Sequence, residues 1–369
     1  MRIGIVGGSL GGLFAAALFQ LDGHQVEVFE RSRAGLAGRG AGLVGQREIF
    51  AILREVGCEH VAHVGVVARE RVTLDRYGRV IDRQETPQIQ ISWDHLYKSF
   101  LERIEATHYH LDRNVREVVD SGSEAVLYFS DGTSAAFDLV IGADGLGSAV
   151  RQFVAEGDRK NIYAGYVAWR GLFPESRLPS ESAAALSDRF TFFTMPRSHM
   201  LGYTVAGPAG EVLPGQRRYN WVWYRAVSSE DLRSTLTDLN GTAHPFSISP
   251  GMIPSEERRI LIDDAERLLP SVFARAVRTE ESPFVQAIFD YETSAMARGR
   301  VALLGDAAFV VRPHTAMGVA KAAGDVMSLR KHLRQSDDLV VALRSYSAER
   351  MPVGRSIAAY GRRLGASLI

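Results

Sequence analysis

The chain has 369 residues, of which 46% are hydrophobic and 23% are charged. This length suits two globular domains or one large domain with insertions, and the composition excludes a disordered chain. Its 43 basic and 43 acidic side chains give zero formal net charge, which argues against nucleic acid as the main partner. The single cysteine, Cys58, excludes an intrachain disulfide and the CxxC zinc spacings, so no metal site is expected. Neither a membrane-spanning run nor a signal peptide is recognised, which predicts a cytoplasmic enzyme.

The first thirty residues predict a βαβ unit that binds a dinucleotide. Their order is strand, glycine turn, helix and strand, at residues 3–6, 7–12, 13–21 and 25–30. Gly7 permits the tight turn, while the small residues Ser9 and Gly12 let a pyrophosphate approach the backbone at the helix N-terminus. Glu30 ends the second strand, where a carboxylate accepts hydrogen bonds from a ribose. Ser9 replaces the second glycine of the strict G-x-G-x-x-G spacing.

A second run, Gly40-Ala41-Gly42-Leu43-Val44-Gly45, matches the same bare spacing. No apolar strand precedes it, because residues 33–39 form a polar, glycine-containing segment. We interpret the run as a close-packed loop and strand beside the first cofactor. The chain therefore has one dinucleotide-binding unit, and any second nucleotide must bind without one.

Helices and strands continue to alternate up to residue 151. Helices are predicted at 49–56 and 93–104, a hairpin at 69–83, and strands at 109–119, 125–129 and 137–141. From residue 163 to residue 225 the helical period is lost, and aromatic residues mark antiparallel strands at 190–195, 200–205 and 219–225. Further helices are predicted at 231–239, 256–269, 319–333 and 339–360, with a strand at 300–304 and a break in the last helix near Pro352 and Gly354. These elements predict an α/β unit interrupted by an antiparallel sheet.

Two acidic turns follow apolar strands. Asp144 stands in Gly142-Ala143-Asp144-Gly145, and Asp306 stands in Gly305-Asp306-Ala307-Ala308. Open α/β sheets bind ligands outside the carboxyl ends of their strands, which is where both carboxylates are expected. One Asp-Gly pair is a common turn, but two such acids after a nucleotide-binding turn indicate a cofactor site.

With these three motifs the chain resembles the class A flavin monooxygenases, the para-hydroxybenzoate hydroxylase-like family. The matching segments are the glycine turn through Glu30, residues 138–151 and residues 300–318. Residues 163–171 and 312–321 also resemble a subgroup that acts on dihydroxypyridines. The resemblance implies a Rossmann-like, discontinuous FAD-binding domain at residues 1–70, 93–162 and 284–369, and an inserted antiparallel β-sheet domain for substrate at residues 71–92 and 163–283.

The resemblance also implies a non-covalently bound FAD. The residues that it assigns to the cofactor are Gly7, Ser9, Leu10, Gly12, Glu30, Arg31, Arg39, Asp144, Arg151, Gly305, Asp306, Pro313, Gly318 and Val319. In this assignment Arg39 lies near the phosphates, Asp306 binds the ribitol region, and backbone N–H groups near Val319 stabilise reduced flavin. Asp144 and Arg151 belong to a motif that serves both FAD and the reduced nicotinamide. Two departures stand out: Phe309 replaces a common histidine, and Ser92-Trp93-Asp94 replaces a common arginine.

The implied reaction is hydroxylation of an electron-rich ring of phenol or hydroxypyridine type. NADH or NADPH reduces FAD, O2 then forms a C4a-hydroperoxyflavin, and the protein must supply a base and exclude water. His314 is the candidate base, because the Pro313 loop should face the flavin. The candidate substrate contacts are Arg170, Phe192, Tyr203 and His314 itself, with His199 as a weaker one. The alternative for His314 is a purely structural histidine.

The sequence is compatible with other functions. One is oxidation of a larger natural product or antibiotic by the same chemistry, and another is a flavin-binding sensor or scaffold without turnover. A flavin halogenase is rejected, because Arg225-Ala226 follows Trp221-Val222-Trp223 where the halogenase motif has Ile-Pro. The expected partners are a small aromatic substrate, O2 and NAD(P)H, with no nucleic acid and no membrane, in a monomer or a homodimer.

Overall fold

The computed structural model describes residues 1–36, 38, 42–62, 65–157 and 160–368. Its helices are α1 (Leu10–Leu21), α2 (Arg47–Glu55), α3 (Glu59–Ala62), α4 (Trp93–Leu101), α5 (Arg151–Val154), α6 (Ser180–Leu186), α7 (Leu232–Thr235), α8 (Ser255–Leu268), α9 (Ser271–Thr279), α10 (Gly318–Gln335) and α11 (Leu339–Leu364). Its strands are β1 (Arg2–Val6), β2 (Gln25–Phe29), β3 (Gly42–Val44), β4 (Gly65–Ala68), β5 (Glu70–Leu74), β6 (Val80–Gln84), β7 (Gln88–Ser92), β8 (Tyr109–His110), β9 (Val115–Asp120), β10 (Ala125–Phe129), β11 (Ser134–Phe137), β12 (Leu139–Gly142), β13 (Ile162–Pro174), β14 (Arg189–Met195), β15 (Ser198–Val205), β16 (Arg218–Ala226), β17 (Ser247–Ile248), β18 (Phe284–Glu292), β19 (Ala297–Arg298), β20 (Val301–Leu303) and β21 (Phe309–Val310).

A mainly parallel sheet carries the N-terminal motif. Its strand order is β19-β20-β12-β1-β2-β8, and only β19 runs antiparallel to its neighbour. Residues such as Ile5 and Ile141 are completely buried, because helices and loops cover both faces of such a sheet. The turns after β1, β12 and β20 therefore meet at one edge, where the three sequence motifs lie together.

A second, largely antiparallel sheet faces this edge. Its order is β17-β18-β13-β16-β15-β14-β5-β6, with β21 paired to β18, and only β14 and β5 run parallel. Side chains of neighbouring residues point to opposite faces of the sheet. Trp223 and its neighbours pack under helices α6, α8 and α9, whereas Tyr166, Tyr203 and Tyr224 belong to a separate buried cluster on the other face. The fold is thus α/β with an inserted antiparallel sheet, as the sequence predicts.

Residues 88–92 behave differently from the rest of the predicted β-sheet insert. They form β7, which pairs with β3 and β4 in a separate three-stranded sheet. This small sheet contacts β15 of the large sheet through β4 and β7. Of the second glycine run, Gly42 to Val44 form β3, while Gly40 and Ala41 lie outside the described residues.

The break expected near Pro352 and Gly354 is wrong, because α11 is continuous through Pro352. Proline removes one backbone donor, and the other hydrogen bonds of this 26-residue helix hold it together. Gly354 serves packing instead, since a Cβ there would lie 2.4 Å from the ring of the buried Phe309. The helix predicted at 231–239 is reduced to Leu232–Thr235. Among the described residues, no helix combines the length and apolarity needed to cross a bilayer.

Candidate active site

A cavity of about 600 Å3 lies between the edge of the parallel sheet and the large sheet. The predicted site residues in its wall are Gly7, Ser9, Glu30, Arg31, Asp144, Arg170 and Val319. They lie in the turns after β1, β2 and β12, in β13 and in α10, which the fold brings to one place from distant parts of the sequence. A cavity of this size holds a cofactor-sized molecule.

The glycine turn after β1 requires glycine at two positions. Gly7 has a φ of +106°, and a Cβ there would lie 2.4 Å from the carbonyl oxygen of Ala143. A Cβ on Gly12 would lie 1.9 Å from the carbonyl oxygen of Gly7. Ser9 precedes α1, and its side chain does not cap the helix. The Leu10 side chain is buried, so only its backbone N–H is available to an anion at the helix N-terminus.

Glu30 lies at the end of β2, 5% exposed and in the cavity wall. Its carboxylate accepts hydrogen bonds from the backbone N–H groups of Gly8 at 2.9 Å and Ser32 at 2.8 Å. These bonds fix the carboxylate and leave further lone pairs for a ligand hydroxyl. The position therefore suits a ribose, as the spacing predicts.

Asp144 holds the turn that follows β12. Its carboxylate accepts hydrogen bonds from Ser148 Oγ at 2.5 Å and from the N–H groups of Ala149 at 2.7 Å and Val150 at 3.3 Å. Burial raises the pKa of Asp144, and these bonds oppose that rise. The carboxylate thus shapes the turn while it borders the cavity.

Arg151 does not line the cavity, although the resemblance assigns it to FAD. Its side chain is 1% exposed, and the guanidinium donates hydrogen bonds to the backbone carbonyls of Asp306 and Ala307, both at 2.8 Å. It also bonds Asn161 Oδ1 at 3.0 Å and lies 3.8 Å above the Tyr291 ring. Arg151 therefore joins the acidic turns after β12 and β20, a role that the sequence motif does not reveal.

Asp306 follows β20 in the short turn Gly305–Ala307, where Gly305 has a φ of +59°. The Asp306 side chain is 47% exposed, and Lys321 Nζ lies 3.7 Å from its Oδ1. This turn packs against the Gly145–Gly147 turn, so the two acidic motifs are neighbours, as predicted. Sequence reasoning missed Lys321, although it lies only three residues after Gly318.

The loop from Pro313 to Gly318 connects the large sheet with α10. A short turn covers Pro313–Thr315, and Ala316 adopts a left-handed conformation with a φ of +53°. Such a conformation is unfavourable for alanine, and Gln46 Nε2 donates a 2.9 Å hydrogen bond to the Ala316 carbonyl. Gly318 starts α10 in open space, and Val319 reaches the cavity wall.

His314 is in contact with an aromatic group on the large sheet. Its Nε2 lies 2.9 Å from the Tyr166 hydroxyl, its ring centre is 4.3 Å from that of Tyr224, and His199 stacks at 6.3 Å. Phe192 also stacks on His199, with ring centres 5.7 Å apart. Burial lowers the pKa of His314 to about 3 and the pKa of His199 to about 4, so both rings are neutral near pH 7.

Sequence reasoning missed Tyr166 and Tyr224, although both belong to the aromatic segment that it recognised. In the sequence, their alternation with residues of the opposite sheet face indicates that they point to one face. Only the pairing of the strands shows that this is the face next to His314. Tyr203 has a structural contact, because its hydroxyl donates a 3.1 Å hydrogen bond to the Gly42 carbonyl of β3. Arg170 Nε is buried and has no hydrogen-bond partner among the described residues.

The two departures from the family pattern have structural explanations. Phe309 is 1% exposed and packs against Gly354 in the core. Asp94 at the start of α4 pairs with Arg218 of the large sheet at 2.7 Å, and Arg218 also donates to Ser92 Oγ at 3.0 Å. Arg39, assigned to the FAD phosphates, lies outside the described residues.

Comparisons with known proteins identify the family of the chain. Residues 163–290 match an FAD binding domain-like family and residues 263–360 match an FAD binding domain family. The 2,6-dihydroxypyridine 3-monooxygenase of Paenarthrobacter nicotinovorans is 32% identical, over 96% of this chain and 88% of that protein. The 3-amino-4-hydroxybenzoate 2-monooxygenase of Streptomyces cremeus is 29% identical, over 99% and 86%.

A solved structure is similar throughout. The 2,6-dihydroxypyridine-3-hydroxylase from Arthrobacter nicotinovorans superposes with a TM-score of 0.93 at 30% identity, covering all of this chain and 92% of that chain. The resemblance to dihydroxypyridine hydroxylases noted from residues 163–171 and 312–321 is thereby confirmed. The glycine turn after β1, the Glu30 carboxylate and the size of the cavity are all compatible with a bound FAD. The chain belongs to the family of FAD-dependent, NAD(P)H-consuming monooxygenases that hydroxylate aromatic and heteroaromatic rings.

Proposed function

We propose that this enzyme hydroxylates a small hydroxypyridine-type ring, and that His314 is the base that accepts a proton from the ring hydroxyl. The observation that carries the proposal is the group of His314, Tyr166, Tyr224 and His199, in which both imidazoles are neutral. Neutral imidazoles and tyrosine hydroxyls match the hydroxyl and ring nitrogen of such a substrate. The relative from Paenarthrobacter nicotinovorans is named for 2,6-dihydroxypyridine.

FAD would extend along the cavity from Glu30 to Val319. Gly7, Ser9 and the N-terminal N–H groups of α1 would receive the pyrophosphate, and Glu30 would bind the ribose. Asp306 would bind ribitol hydroxyls. When bound and reduced by NADH or NADPH, FAD supplies an electrophilic oxygen derived from O2.

His314 would raise the electron density of the substrate ring by removing the hydroxyl proton. If Nε2 donates its proton to Tyr166, Nδ1 keeps the free lone pair that a base needs. The rings of Tyr224, His199 and Phe192 would exclude water from the reacting groups. Arg170, which borders the cavity, would stabilise negative charge on the deprotonated ring oxygen.

A substrate panel tests this function. NAD(P)H oxidation, product mass and hydrogen peroxide are measured with 2,6-dihydroxypyridine, 3-amino-4-hydroxybenzoate and a buffer control. We expect faster NAD(P)H oxidation and a product heavier by one oxygen with the hydroxypyridine alone. Productive turnover of the carboxylated ring instead would contradict the proposed substrate class. If neither ring stimulates oxidation, a larger substrate or a sensor function takes precedence.

We also propose the domain division described from the sequence, with the FAD-binding domain at residues 1–70, 93–162 and 284–369. The parallel sheet draws all its strands from these segments, which supports the division. The substrate domain consists mainly of residues 163–283, with residues 71–92 as a second segment. Strands β5 and β6 extend the large sheet, which supports the assignment of residues 71–92 to this domain. The pairing of β7 with β3 and β4 favours an earlier end for this first segment, before residue 88.

A further inference from the structure

Lys321 carries a buried ammonium group for which the fold supplies no hydrogen bond. It lies in the first turns of α10, its side chain is 1% exposed, and Nζ has no hydrogen-bond partner among the described residues. Its nearest anionic atom is Asp306 Oδ1, at 3.7 Å. Burying an ammonium group is unfavourable unless a nearby opposite charge compensates it. The Asp306 carboxylate is the group in position to do so.

The other charged groups around Asp306 have different partners. Arg151 donates to the backbone carbonyls of Asp306 and Ala307, not to the carboxylate. Asp325, one turn after Lys321, accepts hydrogen bonds from the N–H of Gly305 at 3.0 Å and from Arg350 Nε at 2.7 Å. Lys321 is therefore the cation that stands closest to the Asp306 carboxylate.

We propose that Lys321 is a positioning residue of the FAD site, whose buried ammonium keeps the Asp306 carboxylate ionised so that it accepts a hydrogen bond from an FAD hydroxyl. The inference rests on the proposed assignment of Asp306 to FAD. Partial burial of the 47% exposed side chain raises the pKa of Asp306, Lys321 and Arg151 lower this pKa, and Asp325 raises it. Removing the nearest cation should therefore let the Asp306 carboxyl take up a proton at a higher pH.

The test is the FAD affinity of the apoenzyme, measured by flavin fluorescence between pH 5 and pH 9. In Lys321→Met, the pH below which affinity declines should move up by about 1–3 units. Affinity should then fall about tenfold per pH unit below that point and return towards the wild-type value at pH 9. Lys321→Arg keeps the charge and should keep the wild-type profile.

Two comparisons make the inference falsifiable. In an Asp306→Asn background, Lys321→Met should change FAD affinity by less than about twofold, and an undiminished effect would overturn the coupling. If Lys321→Met alone does not fold, Asp306→Asn should restore folding, and failure to do so also overturns it. A loss of affinity that is equal at every pH would indicate direct contact with phosphate instead. Lys331→Met, at an exposed ion pair on the same helix, is the matched control.

Asp306→Asn alone distinguishes a wrong assignment of Asp306 to FAD from a wrong role for Lys321. Unchanged FAD affinity in this variant removes Asp306 from the site, and with it the basis for Lys321. Reduced affinity in Asp306→Asn together with a wild-type profile in Lys321→Met contradicts only the role of Lys321.

Discussion

The neutral imidazole of His314 leads to a prediction about pH. A base works only in its unprotonated form, and the pKa of His314 is lowered to about 3 by burial, then by His199 and Arg312. Its contribution to hydroxylation should therefore be constant from pH 8 to pH 5 and should be lost only as the pH approaches 3. His314→Gln should slow hydroxylation by about 10²–10⁴-fold across this range. NAD(P)H oxidation should continue, with O2 released as hydrogen peroxide.

Tyr166→Phe is the control for this variant, because it removes the 2.9 Å hydrogen bond and keeps the imidazole. A loss of about tenfold is expected from poorer orientation of the base. Product formation is followed by mass spectrometry beside peroxide release. If His314→Gln hydroxylates at the wild-type rate, the histidine has only a structural role. If the wild-type rate falls below about pH 6.5 and the rate of His314→Gln does not, the pKa of His314 is not lowered.

Some site residues could be predicted because their function depends on local geometry. Gly7 is set by its positive φ in the turn, Gly12 by a contact within the βαβ unit, and Glu30 by its place at the end of a strand. The partners of His314 could not be predicted in this way. Tyr166 is 148 positions away in sequence, and only the pairing of β13 with β16 puts it beside Tyr224.

At the scale of elements, the acidic turns after β12 and β20 act as one unit. Arg151 bonds backbone carbonyls of both, since its guanidinium also lies 3.3 Å from the Leu146 carbonyl oxygen. One buried side chain thus determines the spacing between Asp144 and Asp306. In the sequence, the same residue is only the last member of a motif.

Arg151→Lys tests whether Arg151 links the two acidic turns. An ammonium group cannot reproduce the fork of donors, so buried carbonyls would lose their partners at about 1–3 kcal/mol each. We expect the free energy of unfolding to fall by about 2–4 kcal/mol, measured by urea denaturation with FAD present. FAD affinity should weaken together with stability. Arg298→Lys, at an exposed residue near Phe153, should leave both unchanged, and a similar loss there would contradict the explanation.

Element boundaries follow the sequence where local signals are strong. The helix predicted at 319–333 is observed as α10, and the strand predicted at 125–129 is observed as β10. Pro352 is the clearest failure, because proline suggests a break that the packing of Gly354 against Phe309 overrides. Local preference decides a helix only where tertiary contacts do not oppose it.

At the scale of the whole molecule, the edge of the parallel sheet and the large sheet enclose one cavity. The parallel sheet contributes fixed carboxylates and helix N–H groups, and the large sheet contributes Arg170 to the cavity wall, with the buried rings of Tyr166 and Tyr224 on the same face of that sheet. Sequence patterns predict each sheet by its periodicity, but their relative placement depends on contacts between distant segments. The motifs shared with the family supplied that placement in advance.

The buried histidines should also make the stability of the molecule depend on pH. The pKa of His199 is about 4 and that of His314 about 3 in the folded chain, both below the ordinary value of 6.5, chiefly because of burial. The unfolded chain therefore binds more protons below pH 6.5, so the stability that these neutral rings contribute is complete above that pH and is lost as the pH falls. Each histidine should lower the free energy of unfolding by about 1.6 kcal/mol between pH 6.5 and pH 5.

Urea denaturation at saturating FAD measures this dependence. A His199→Gln, His314→Gln double variant should lose about 3 kcal/mol less than the wild type over that interval, because glutamine does not titrate. The carboxylates, including Asp144 and Asp306, have raised pKa values that act in the opposite direction. They are present in both proteins, so their contribution cancels when one unfolding free-energy profile is subtracted from the other. His60→Gln on α3, at an exposed position, serves as the control. Parallel pH profiles for the wild type and the double variant would show that both rings titrate normally in the folded protein, and the neutral-base mechanism would lose its support.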